Sequence, residues 1–135
     1  MDLRFEEIEH TADIAMRVWG RDLAELFINA ACSMASHLAD VDAVGRTIER
    51  DIALEAYDAE TLLVTWLGEL LYLGERDGCV FTGFRMQEVT PTCLRAVVRG
   101  GPVSAYQQSI KAVTFSNLKI VPTDQGYETT IVFDV

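Results

Sequence analysis

The sequence is poor in the residues that carry most acid–base, redox and metal chemistry. It has two histidines, His10 and His37, and three cysteines, Cys32, Cys79 and Cys93, in 135 residues. The cysteines are far apart and form no C-x-x-C pair, which excludes a zinc knuckle and a dithiol redox motif. No G-x-x-x-x-G-K-[ST], G-x-G-x-x-G, G-x-S-x-G or H-E-x-x-H occurs. The chain therefore offers no phosphate loop, dinucleotide fingerprint, nucleophile elbow or zinc-protease helix. Basic residues are the other deficit: 11 Lys and Arg stand against 21 Asp and Glu, a formal net charge of -10. That field repels a phosphate backbone at long range and no basic run offsets it, so no direct nucleic-acid partner is expected. Basic proteins and metal cations are the favoured partners, although acidity also serves solubility alone. No segment approaches membrane-spanning length and the first seven residues contain no apolar signal core. A cytoplasmic protein without a membrane partner is expected.

What the chain does contain is core-forming material. Half of it is hydrophobic and the apolar residues are spread throughout, which fits one domain over residues 1–135. Ile14, Met16 and Val18 alternate with Ala15, Arg17 and Trp19 as a first strand closed by Gly20. Asp22 then offers a helix N-cap with Glu25 three residues later. Leu23, Leu26, Phe27, Ala30, Met34 and Leu38 recur at helical spacing, predicting a helix over 22–38 that ends with His37 complementing the helix dipole. Ile48, Ile52, Leu54 and Ala56 mark a second strand whose alternation breaks at Arg50. Asp58 caps a second helix carrying Leu62, Leu63, Trp66, Leu67, Leu70 and Leu71, which ends near the turn-rich residues 74–78.

Everything beyond Gly78 reads as strand: 80–89, 92–99, 110–121 and 127–135. Thr90-Pro91-Thr92 punctuates a hairpin, and Gly100-Gly101-Pro102 and residues 123–126 separate the later runs. The expected fold is α+β, a two-layer domain with two helices on one face of a mixed, mostly antiparallel sheet. Cys32 and Cys93 suit small buried hydrophobes, whereas Cys79 falls in a turn and is expected to be open to solvent.

Polar residues gather in three places: residues 9–13 before the first strand, 111–117 on a late strand, and the last residues. The run 127–135 is rich in β-branched and aromatic types, so it should be held in a sheet to its last residue. That would set the Asp134 carboxylate beside the α-carboxylate of Val135, and two anions there need a cation or donors. With Asp13 they make an all-oxygen donor set, which suits Ca²⁺, Mg²⁺ or Mn²⁺ better than Zn²⁺. Each residue has a plainer reading too: Thr11 and Asp13 as turn formers, Lys111 as a wet strand charge, Asp134 as a solvated strand end.

Phe5-Glu6-Glu7-Ile8-Glu9-His10-Thr11-Ala12-Asp13-Ile14, followed by residues 23–31, resembles the opening of the archease family. Trp66-Leu67-Gly68-Glu69-Leu70-Leu71-Tyr72 is similar to its central helix, and Lys111-Ala112-Val113-Thr114-Phe115 to its late lysine stretch. The closing Phe133-Asp134-Val135 is similar to its acidic end. The resemblance implies an archease-like fold and a non-enzymatic accessory protein of tRNA splicing and RNA repair. Its partner would be an RtcB-type RNA ligase that uses GTP and Mn²⁺, whose guanylylation and repeated turnover it promotes. It implies a divalent cation, Ca²⁺ by likeness to the family, on Asp13, Asp134 and Val135, a functionally required Lys111, and a supporting position at His10. Ser116 stands where members commonly carry His, and the segment 100–109 is shorter than usual. The alternative is a chaperone or specificity factor for a tRNA-modifying enzyme such as a tRNA cytosine methyltransferase. A metal-dependent hydrolase built on the same carboxylates lacks an evident nucleophile and base.

Overall fold

In the computed structural model, which describes residues 4–8, 13–115 and 118–135, two helices pack against two antiparallel sheets. The first sheet contains β1 (Phe5–Ile8), β2 (Ile14–Gly20), β6 (Ala112–Thr114), β7 (Val121–Thr123) and β8 (Gly126–Asp134). Its order is β1-β2-β8-β6, with β7 also paired to β8. The second sheet is β3 (Ile48–Glu55), β5 (Cys93–Pro102) and β4 (Cys79–Val89), in the order β3-β5-β4. The expected α+β architecture with two packed helices is what the chain adopts, with its strands shared between two sheets.

Helix α1 (Leu23–Leu38) begins where its capping residue predicts: Asp22 Oδ1 accepts the Glu25 N–H at 2.8 Å. Glu25 reaches back to the Arg21 N–H at 3.3 Å. Helix α2 (Ala59–Asp77) starts on the same device, with Asp58 Oδ1 accepting the Thr61 N–H at 2.8 Å. It stops at Gly78, whose φ of 64° supplies the left-handed C-cap that a side chain would disfavour. Leu26, Phe27, Ala30 and Met34 of α1 meet Leu62, Leu63, Trp66 and Leu67 of α2 in one core. The fully buried Trp66 joins the helices, its indole N–H donating to the Phe27 carbonyl at 3.0 Å. Its ring meets Phe84 edge-on with centroids 5.9 Å apart.

Four details differ from the sequence reading. Cys79 is 1% exposed as the first residue of β4, because the strand starts directly at the helix cap with no open turn. Gly100 and Gly101 lie inside β5, where a Cβ on Gly100 would fall 2.1 Å from the Val80 carbonyl oxygen. Glycine there permits close strand approach and does not break the strand. The run 110–121 is two short strands on one edge of β8, β6 beside residues 132–134 and β7 beside 126–128. Residues 119 and 120, before β7, are outside the strands and side chains satisfy their backbone: Thr129 Oγ1 donates to Lys119 O, and Ile120 N donates to Glu60 Oε2. Strand β1 has no alternation to reveal it; it is an exposed edge strand recruited by β2. Arg50 interrupts the β3 pattern because it bonds Asp77, at the end of α2, at 3.2 Å.

Candidate functional site

Strand β8 carries the sequence-predicted acidic end into the middle of its sheet. Its inward residues Thr129, Ile131 and Phe133 are buried, so the period of two turns Asp134 away from the core. Phe133 pairs with Ile14 on one side and with Val113 on the other. Asp13 immediately precedes Ile14, and Asp134 immediately follows Phe133, at the end of the first ladder. On the second ladder, Ala112 pairs with Asp134, and the Lys111 N–H donates to the Asp134 carbonyl oxygen at 2.7 Å. Val135 is half-buried, and its side chain packs against the core. Residues 13, 111, 134 and 135 thus converge at one end of the sheet from three separate parts of the sequence. His10 and Ser116 lie outside the described residues.

The geometry also separates these residues. Asp13 and Asp134 are half-buried, Lys111 is exposed, and no ion pair within 4.0 Å joins them among the described residues. The Lys111 side chain instead borders an open groove of about 320 Å³ between β6 and α2, with Gly68, Tyr72 and Glu75 on its far wall. Its backbone N–H is tied to Asp134, and the residue borders the groove beside α2. Among the described residues no three His, Cys, Asp or Glu side chains form a metal-binding group. A cation here would have two side-chain carboxylates, Asp13 and Asp134, and would complete its shell with main-chain oxygens or water. Such a donor set is hard and all-oxygen, which fits Ca²⁺, Mg²⁺ or Mn²⁺.

Residues 5–135 match the model of the archease protein family. The chain belongs to the archease family. It is similar to the archease of Methanosarcina acetivorans, 38% identical over 98% of this chain and 96% of that protein. It is also similar to that of Archaeoglobus fulgidus, 36% identical over 98% of this chain and 100% of the relative. Among solved structures, a Methanobacterium thermoautotrophicum protein superposes with a TM-score of 0.81 at 27% identity, covering 99% of this chain and 100% of that one. An archease from Thermotoga maritima, described as a possible chaperone, superposes with a TM-score of 0.70 at 23% identity over 96% of each chain. At that identity the second likeness bears on the fold. No helix among the described residues of this archease is long and apolar enough to cross a membrane.

One grouping escaped the sequence reading. Arg46, Arg85 and Arg99 line a single groove of about 200 Å³ on the second sheet. They come from a loop and two strands, so a search for basic runs passes over them. The only available signal was alternation, which sends Arg95, Val97 and Arg99 to the face of β5 opposite the core residues Leu94, Ala96 and Val98.

Proposed function

We propose that this archease is a non-catalytic, cation-binding activator of an RtcB-type RNA ligase, promoting the ligase's guanylylation and multiple turnover in tRNA splicing and RNA repair. Asp13, Asp134 and Val135 hold the divalent ion, Ca²⁺ or the chemically similar Mg²⁺ or Mn²⁺, and Lys111 is required for activation. When bound, the cation offsets the repulsion among these carboxylates and supplies positive charge for phosphate oxygens. The observation that carries the reading is the ladder register, in which β8 brings Asp134 between the strand that follows Asp13 and the strand that follows Lys111.

Each residue has a distinct part. Asp134 supplies anionic oxygen from β8 and Asp13 from the residue just before β2, whose first residue, Ile14, is held by the ladder against Phe133. Lys111, tied through its backbone to Asp134, borders the groove beside α2, where its ammonium can meet a phosphate or an acidic side chain of the partner. The net charge of -10 favours docking on a ligase surface that is basic around its RNA channel.

The test is multiple-turnover ligation by a cognate ligase with substoichiometric archease. Asp13→Ala, Asp134→Ala and Lys111→Ala should each abolish the stimulation while remaining folded; undiminished stimulation by these variants rejects the mechanism. The second reading is a chaperone or specificity factor for a tRNA-modifying enzyme, which needs a binding surface and no cation at the end of β8. Residues appended after Val135 should cripple ligase activation but leave chaperoning intact.

A further inference from the structure

The second sheet carries a feature that the acidic end does not use. On its outer face Arg99 sits opposite Gly83 and Arg85 opposite Val97. Arg46 arrives from the loop before β3 and lays its guanidinium over Gly83. A Cβ at that position would stand 3.1 Å from the guanidinium carbon. A register irregularity between Phe81 and Gly83 brings the glycine to this place. Val97 is 5% exposed although it is outside the main core. It forms an apolar floor between arginine stems.

These arginines are under-neutralised in a protein that is otherwise strongly acidic. Arg99 pairs with Glu49 at 3.4 Å. Neither Arg46 nor Arg85 has a carboxylate within 4.0 Å among the described residues, and the one hydrogen bond of the Arg46 side chain there goes to the Thr82 carbonyl oxygen at 3.5 Å. Asp51 lies across Val97 from Arg85 and does not line the groove. Three guanidinium charges less the one on Glu49 leave two positive charges facing a groove of about 200 Å³. A phosphate monoester carries about -1.5 to -2 charges at neutral pH and matches that excess. Arginine also suits it in shape, because its planar fork donates two parallel hydrogen bonds to phosphate oxygens.

We propose that Arg46, Arg85 and Arg99 form a binding site for a compact phosphate monoester, a small phosphorylated molecule and not a nucleic-acid chain. The groove admits one phosphate and a small body against Val97, and the field of the remaining acidic surface repels an extended polyanion. The site is on a different sheet from Asp13, Lys111 and Asp134, and it stands whether or not the ligase reading does.

The experiment is an NMR titration of the full isotope-labelled chain at fixed ionic strength with inorganic phosphate and, separately, with a nucleoside 5′-monophosphate. Saturable shifts are expected at Gly83, Val97 and the side-chain N–H groups of Arg46, Arg85 and Arg99. Arg46→Gln and Arg85→Gln should each weaken binding about tenfold, the scale of one charge-assisted contact. Arg95→Gln, on the same face but paired with Glu88 at 3.3 Å, should leave it within about twofold. Equal affinity for the two probes assigns recognition to the phosphate alone, and tighter nucleotide binding assigns a nucleoside contact on Val97. The proposal is overturned by an absence of saturable shifts, by undiminished binding in the arginine variants, or by an oligoribonucleotide that binds more tightly with increasing length.

Discussion

Replacing Phe133 by alanine tests whether β8 is set in the register that turns Asp134 outward. Phe133 is 0% exposed and held between Ile14 and Val113 on neighbouring strands. Truncating a buried phenylalanine costs ~3–5 kcal/mol, the loss of transfer free energy plus that of the cavity left behind. Unfolding entropy near 2.1 cal/mol/K per residue gives ~0.28 kcal/mol/K for a chain of this length, so the midpoint should fall by ~11–18 °C. Val132, the preceding residue, points to the opposite face and is half-buried. Val132→Ala should therefore cost no more than ~1 kcal/mol, or ~4 °C. Differential scanning calorimetry of both variants without added metal reads the contrast directly. A one-residue slip would exchange the two faces and send the Asp134 side chain into the core. If Val132→Ala proves the more damaging substitution, or Phe133→Ala shifts the midpoint by less than ~4 °C, the placement of the acidic end is wrong.

Two further outcomes follow from the same geometry. A cation at 100 times its dissociation constant should stabilise the native chain by ~2.7 kcal/mol, a rise of ~10 °C in the midpoint. Asp134→Asn keeps the main-chain carbonyl that accepts the Lys111 N–H, so it should lose that rise without lowering the metal-free midpoint. Equal Ca²⁺ responses in the two proteins, with sodium chloride as the control for screening, would refute the assigned ligand. At the end of α2, Arg76 and then Arg50 hold the Asp77 carboxyl below its ordinary range. A carboxyl depressed by folding adds stability above its unfolded pKa, and that stability is lost as pH falls through the folded value. The midpoint of Asp77→Asn should therefore depend less steeply on pH than the native protein's as acid is added below the ordinary carboxylate range; parallel curves would rule this ion pair out as a contributor.

Local chemistry made much of the molecule readable in advance. The caps at Asp22 and Asp58 act within three residues of themselves, and the apolar stripes of α1 and α2 follow the helical period, so both helices could be placed from pattern. The hairpin at Thr90-Pro91-Thr92 is equally local: the Thr90 N–H donates to Cys93 O at 2.8 Å. The misreadings share one cause. Gly100 and Gly101 look like a break until Val80 is brought against Gly100, Cys79 looks open until β5 sets Pro102 beside it, and Phe5–Ile8 acquires a strand only from β2. In each case the deciding neighbour is distant in sequence.

The candidate sites divide in the same way. Residue chemistry made Asp13, Asp134 and Val135 an all-oxygen donor set, and the resemblance to archeases singled out Lys111, because carboxylates and a lysine near strand ends are visible one by one. Only the pairing of β2 and β6 on the two sides of β8 brought them to one end of a sheet, since ladder register is fixed by which face must be buried. Beyond strand alternation, nothing local marked Arg46, Arg85 and Arg99 as a group. Hydrophobic period and capping chemistry act over a few residues and so are written in the sequence, whereas the meeting of charges from separate segments is decided by the strand pairings that bury the core.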